Sequence, residues 1–162
     1  MAKRIFFFLY LFLIWLGLTW SLDTQEVIAG LIIVTIASFL FSGMMPEELV
    51  KIINPLRLFW LILYIPVFTF YVIKANFDVA YRVFHPDLPI KPGIVKVKTK
   101  LKTNLARTFL ANSITLTPGT LTIDMVDDIL YIHWINITSV DQMEETKIIV
   151  EKFERFLWRI FE

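Results

Sequence analysis

The chain has no cysteine, only two histidines and only five glycines in its 162 residues. Without cysteine there is no disulfide framework, no thiolate metal site and no sulfur ligation of an iron–sulfur cluster. The histidines, His85 and His133, have no ligand or triad partner near them in sequence and read as structural. No acid–base pair, metal-ligand cluster or phosphate-binding glycine loop stands out, so the sequence predicts a non-enzyme with no metal and no cofactor. The net charge of +1 argues against nucleic-acid binding, which needs a basic excess. The most informative absence is local. Residues 5–22, 27–45 and 58–73 contain no Asp, Glu, Lys, Arg or His. Proton and sodium pathways through lipid need ionisable groups at depth, where such groups are costly and persist only for a function. A chain whose apolar runs lack them is not expected to carry an ion path alone.

Apolar side chains fill the space that charge leaves. Hydrophobic residues make up 57% of the chain, and its mean hydropathy is +0.66, the make-up of a membrane protein. After the basic start at Lys3 and Arg4, residues 5–22 would form a helix of about 27 Å at roughly 1.5 Å per residue. A signal peptide has a similar outline. This run, however, is too long, is filled with bulky aromatics and lacks a small-x-small cleavage site, so a retained span is expected. Asp23-Thr24-Gln25-Glu26 is a tight polar break with Asp23 or Thr24 available as a helix cap. So short a link before residues 27–45 leaves only an antiparallel hairpin. Ala29, Gly30, Ala37 and Ser38 are the small residues of the second helix. They offer a side for close approach by the first helix or another subunit. Asn54-Pro55 then starts a third helix. Pro66 predicts a kink or a freed carbonyl in it, and Trp60, Tyr64 and Tyr71 are candidate interface anchors. The pattern turns amphipathic beyond Lys74 and stops at His85-Pro86.

The sequence thus predicts a membrane α-helical N-terminal half with three transmembrane helices (about 5–22, 27–45 and 55–84) and a small α+β C-terminal domain. The expected boundaries are 1–84, a proline-rich linker at 85–93, and 94–162. In the last part, residues 94–101 alternate aliphatics or Thr with lysines as a strand, and Thr103 or Asn104 caps a helix to about residue 112. Residues 120–125 and 129–137 pair as a hairpin. Residues 139–162 form an amphipathic helix with Ile149, Phe153, Phe156, Leu157 and Ile160 on one face, and Ser139 and Gln142 at capping-box spacing. The order is β-α-β-β-α, a three-stranded sheet with helices on one side. Residues 82–107 hold seven bases and one acid, whereas residues 124–162 hold nine acids and four bases. The first stretch suits anionic lipid headgroups, the second basic partner loops.

One stretch reads as a motif: residues 110–122, LANSITLTPGTLT. Ser113, Thr115, Thr117, Thr120 and Thr122 intersperse with aliphatics, and no nucleophile–base pair is present. Thr117-Pro118-Gly119-Thr120 fits a type II turn, Pro118 presetting φ at the second position and Gly119 supplying positive φ at the third. The hydroxyls are then placed to satisfy backbone groups at the bend. The candidate site is therefore a structural motif comprising Asn112, Ser113, Thr115, Thr117, Pro118, Gly119 and Thr120.

The same residues, ANSITLTPGT at 111–120, resemble the signature of the E subunit of multisubunit cation/proton (Na⁺/H⁺) antiporters of the Mrp or Mnh type, a family also found as a module in membrane-bound hydrogenase-type complexes. The likeness extends over the chain's length, its apolar first half and its basic-then-acidic second half. It implies an accessory cell-membrane subunit that supports assembly and ion transport alongside other integral membrane subunits. The alternatives are the same subunit in an energy-converting redox complex, and a free-standing membrane-anchored adaptor. Orientation is contradictory in the sequence. Lys3, Arg4, Lys51 and Arg57 place the N-terminus and the second loop in the cytoplasm by the positive-inside rule, and three crossings then export the C-terminal domain. Lys74, Arg82 and Lys91 after the third run argue the opposite. The resemblance implies a cytoplasmic C-terminal domain.

Overall fold

A computed structural model describes residues 2–44, 46–138 and 141–162. The chain divides into two compact units, Met1–Lys51 and Ile52–Glu162.

The first unit is a helical hairpin. Helix α1 (Ala2–Thr19) and helix α2 (Thr24–Phe41) are joined through Trp20, which takes a positive φ of 49°. Asp23 occupies the N-cap position of α2, but its side chain makes no cap bond. Gly30, Val34 and Ser38 form the buried side of α2. Gly30 sits directly under the Trp15 indole, where a Cβ would collide with the ring. Trp15 Nε1–H donates to the Glu26 carbonyl at 3.0 Å, and the Ser38 hydroxyl donates to the Arg4 carbonyl at 3.1 Å. Gly30 and Ser38, two of the four small residues, thus face the first helix, as close packing in an apolar setting requires. A single 3₁₀ turn (Ser42–Met44) and the short helix α3 (Glu47–Lys51) complete this unit.

The second unit opens with α4 (Pro55–Phe84). Asn54 caps it, its Oδ1 accepting from Leu56 N at 3.0 Å, with Pro55 in the first turn. The helix continues through Pro66 as one element. Strand β1 (Gly93–Lys98), helix α5 (Asn104–Thr115) and strands β2 (Thr120–Val126) and β3 (Ile129–Trp134) follow. The sheet has the order β1-β3-β2, antiparallel throughout. Asp127, at φ 54°, turns the β2–β3 hairpin, and a register shift between Thr122 and Asp124 bulges β2. Val95, Val97, Leu130 and Ile132 point from one sheet face into the core. Of the three expected transmembrane helices, two, Thr24–Met44 and Pro55–Phe84, meet the length and hydropathy of a membrane span among the described residues.

The structure refines the expected boundaries. Strand β1 stops at Lys98 because the next residues turn inward: Thr99 Oγ1–H and the Lys100 amide both donate to Glu154 Oε1. The C-terminal helix is three pieces, α6 (Gln142–Thr146), a π turn (Lys147–Glu151) and α7 (Lys152–Phe161). Ser139 lies outside the described residues. The observed N-cap of α6 is Asp141, whose side chain accepts from Met143 N at 3.1 Å. Packing ties α4 to the elements that follow it. Phe153 on α7 meets Tyr64, Phe68 and Tyr71 of α4 with ring centroids 5.7–6.4 Å apart, which joins α4 to the sheet.

Candidate functional site

The Thr117–Thr120 turn sits where α5 hands over to β2. Thr120 N donates to the Thr117 carbonyl at 3.2 Å, and Gly119 has φ +89°, the third-position geometry of a type II turn. The hydroxyls around it donate to backbone carbonyls at the end of α5. Ser113 Oγ bonds Phe109 O at 2.6 Å and Thr117 Oγ1 bonds Ser113 O at 2.8 Å. Thr120 Oγ1 lies 2.6 Å from Ile114 O and 2.8 Å from Thr117 O, and Thr122 Oγ1 bonds Ala111 O at 3.2 Å. Ser113 O and Ile114 O are among the carbonyls that the end of α5 leaves without helical partners, whereas Phe109 O and Ala111 O lie inside the helix and take these hydroxyls as second donors. Thr115 works in the other sense, its Oγ1 accepting from Thr122 N at 3.2 Å. Asn112 is exposed on its side chain, and its carbonyl accepts from Leu116 N at 2.8 Å. The arrangement brings together Ser113, Thr115, Thr117, Pro118, Gly119 and Thr120, and leaves the Asn112 side chain outside it.

The turn is seated against α4. A Cβ on Gly119 would lie 2.9 Å from Ile135 Cγ2 and 3.4 Å from Val79 Cγ2. One turn earlier on α5, Ser113 Oγ pairs with the Tyr64 hydroxyl of α4. Since the Ser113 hydrogen goes to Phe109 O, the Tyr64 O–H is the donor in that pair. Tyr64 is only 7% exposed. Its partner choice makes a prediction. Tyr64→Phe removes a donor cleanly and costs about 1 kcal/mol, whereas Ser113→Ala leaves a buried phenol without its acceptor and costs up to about 3 kcal/mol. Thermal unfolding of the detergent-solubilised protein would rank them in that order.

A second polar cluster lies at the other end of α5. Arg57 Nη1 and Nη2 donate to the carbonyls of Ile160 and Glu162 at 3.0 and 3.1 Å. The Glu162 carboxylate accepts from Lys102 N and Thr103 N at 2.8 and 2.9 Å, beside the N-terminus of α5. Burial opposes ionisation of Glu162, but those backbone donors outweigh it and hold its carboxyl below the usual range. Lys152 projects over the Tyr71 ring, with Nζ 5.2 Å from the centroid. Burial, with the nearby Lys74 charge second, lowers its pKa to about 8. Sequence reasoning missed Tyr64 as a polar partner, Arg57 as a cap and Glu154 as a strand terminator. Only Glu154 carried a signal, a lone charge between Phe153 and Leu157 on the apolar face of its helix.

The motif's hydroxyls bond backbone groups and, at Ser113, the Tyr64 hydroxyl; none of its residues titrates, and its turn lies against Val79 of α4. Two of the chain's helices have the length and hydropathy of membrane spans, which suits a membrane subunit. The comparisons with known proteins specify which kind. Residues 8–160 match the family model MNHE, described as Na⁺/H⁺ ion antiporter subunit. The chain is similar to the E subunit of the Na⁺/H⁺ antiporter of Alkalihalophilus pseudofirmus, 32% identical with 99% of each chain covered. It is similar to the E1 subunit of the Na⁺/H⁺ antiporter of Staphylococcus aureus, 33% identical over 87% of this chain and 88% of the other. Among solved structures, a chain of the membrane-bound sulfane sulfur reductase, an archaeal respiratory membrane complex, superposes with a TM-score of 0.87. It is 43% identical, with 99% of this chain and 100% of the other covered. The chain belongs to the MnhE family of Na⁺/H⁺ antiporter E subunits.

Proposed function

We propose that this subunit is non-catalytic and accessory: it supports the assembly of a multisubunit cation/proton antiporter complex in the cell membrane and carries no ion path of its own. The observation behind this reading is that residues 5–22, 27–45 and 58–73 contain no Asp, Glu, Lys, Arg or His, while conduction through lipid needs such groups. In this reading α1 and α2 cross the bilayer as a hairpin, other integral membrane subunits cover part of it, and the C-terminal region lies on the cytoplasmic side. The hydropathy of α4, taken alone, favours a third crossing.

A second reading places the same subunit in a respiratory redox complex that contains an antiporter-like module. It is favoured by the 43% identity to the sulfane sulfur reductase chain, against 32–33% for the antiporter subunits. Purification in mild detergent from native membranes separates the readings. Antiporter subunits alone in the preparation support the first, and redox subunits support the second. A stable, monodisperse chain with no other membrane protein would overturn both and favour the free-standing adaptor.

A further inference from the structure

Helix α4 has two sides of different character, set by its charged residues at position 57 and from 74 to 82. Take Tyr64 as the centre of the packed side and about 100° per residue. Arg57, Asp78 and Arg82 then lie within about 40° of that centre, and Lys74 about 80° to one flank. These are all the charged residues of the helix. The opposite half is uncharged and bulky. Phe59, Ile62, Phe70, Ile73, Phe77 and Phe84 are 51–87% exposed there. The polar side chains Thr69 and Asn76 on that half bond back to the carbonyls of Ile65 and Val72.

The packed side is in contact with the folded α+β region from end to end. At one end Arg57 holds the last carbonyls of α7, and at the other Val79 lies beside Gly119 and Arg82 donates to Pro89 O at 2.6 Å. From residue 57 to residue 82 is about 37 Å of helix, more than the roughly 30 Å thickness of a hydrocarbon core. If α4 stood across the bilayer, α7 with Lys152, Arg155 and Arg159 would stand at hydrocarbon depth beside it, where charge is heavily penalised.

We propose that α4 lies in the plane of the membrane surface, its bulky half bedded at the headgroup–acyl boundary and the sheet region facing water. The edge of that surface is furnished accordingly. Arg159 covers the Trp60 ring at 4.0 Å, Lys152 covers Tyr71, and Trp158 is 54% exposed between Arg155 and Arg159. Cations and indoles at the rim of an apolar helix face suit anionic headgroups. Lipid fits the bulky half better than a neighbouring helix does, since close helix packing in membranes calls for small residues and this half has only Thr69 and Ala80 among its large side chains. The chain then crosses the bilayer twice, through α1 and α2. Two crossings put Lys3, Arg4, Lys51, Arg57, Lys74, Arg82 and Lys91 on one side and leave the bases-free loop at residues 20–23 on the other. The conflict with the positive-inside rule disappears.

The cysteine-free sequence makes the test direct. In the complete complex, single variants Phe59→Cys, Phe70→Cys and Phe77→Cys carry a fluorophore, and nanodiscs contain lipids brominated at defined acyl positions. A surface helix gives quenching at all three sites from one shallow depth, within about 10 Å of the headgroups. A spanning helix separates sites 59 and 70 by about 16 Å of depth, which would overturn the proposal. No quenching at any site would also overturn it, because a partner subunit would then cover this half. In sealed vesicles of one orientation, an impermeant maleimide should label Lys3→Cys and Lys91→Cys from the same side and Leu22→Cys from the other. Labelling of Lys3→Cys and Lys91→Cys from opposite sides counts against two crossings. These readouts do not depend on which parent complex the subunit serves.

Discussion

Gly119→Val is expected to remove most of the folded subunit, and with it most of the assembled complex, while transport per surviving complex stays normal. Two costs combine at this position. A β-branched residue at φ +89° is a genuine backbone outlier, costing about 1–2 kcal/mol or more. Its Cβ would also lie 2.9 Å from Ile135 Cγ2 and 3.4 Å from Val79 Cγ2, and overpacking of this kind typically costs about 1–3 kcal/mol. Together these approach the lower end of the roughly 5–15 kcal/mol that holds a domain folded. The turn cannot relax freely, because Gly119 O also accepts from Ile135 N at 2.9 Å. Quantifying the subunit in purified complex, and ion exchange per complex, checks both halves of the expectation. Normal assembly with lost transport would mean that the motif takes part in the ion path.

Phe153→Ala should be at least as damaging. Phe153 is fully buried, and its ring meets Tyr64, Phe68 and Tyr71 of α4. Truncation of a buried Phe costs about 3–5 kcal/mol through lost transfer energy and an unfilled cavity. The loss falls at the joint between α7 and α4, so the helix should come away from the sheet region before the sheet itself melts. Limited proteolysis within residues 85–92 should quicken in the variant. Phe156→Ala, at a half-buried ring in the same row, should cost clearly less. Equal protease resistance of Phe153→Ala and the parent protein would show that α4 is held by something other than this aromatic row.

Much of this architecture is written in local pattern. Pro118-Gly119 specifies the turn type by backbone sterics alone, and the alternation in residues 120–125 and 129–134 specifies the hairpin around Asp127-Asp128. The hairpin of α1 and α2 follows from the four-residue break between them. What local pattern does not encode is choice of partner. Tyr64 and Ser113 are 49 residues apart, and nothing in either neighbourhood marks them as a pair. Between residues 58 and 73 helix α4 carries no charge on any side, so periodicity there hides which side packs on α7. The π turn escaped notice because one extra residue in a helical turn still presents Ile149, Val150 and Phe153 inward. The early end of β1 depended on Glu154, a residue 54 positions from Lys100.

The central claim is that this subunit braces an ion-moving assembly and moves no ions itself. Its most direct test is cation/proton exchange by the complete complex in sealed vesicles, measured with Asp23→Asn, Glu26→Gln, Asp78→Asn and Glu154→Gln one at a time. Rates are normalised to assembled complex. The account predicts unchanged Na⁺ dependence and pH profile per complex for every variant, even where Glu154→Gln lowers the amount assembled. A shift in Na⁺ selectivity or in the pH profile from any one of these changes would contradict it.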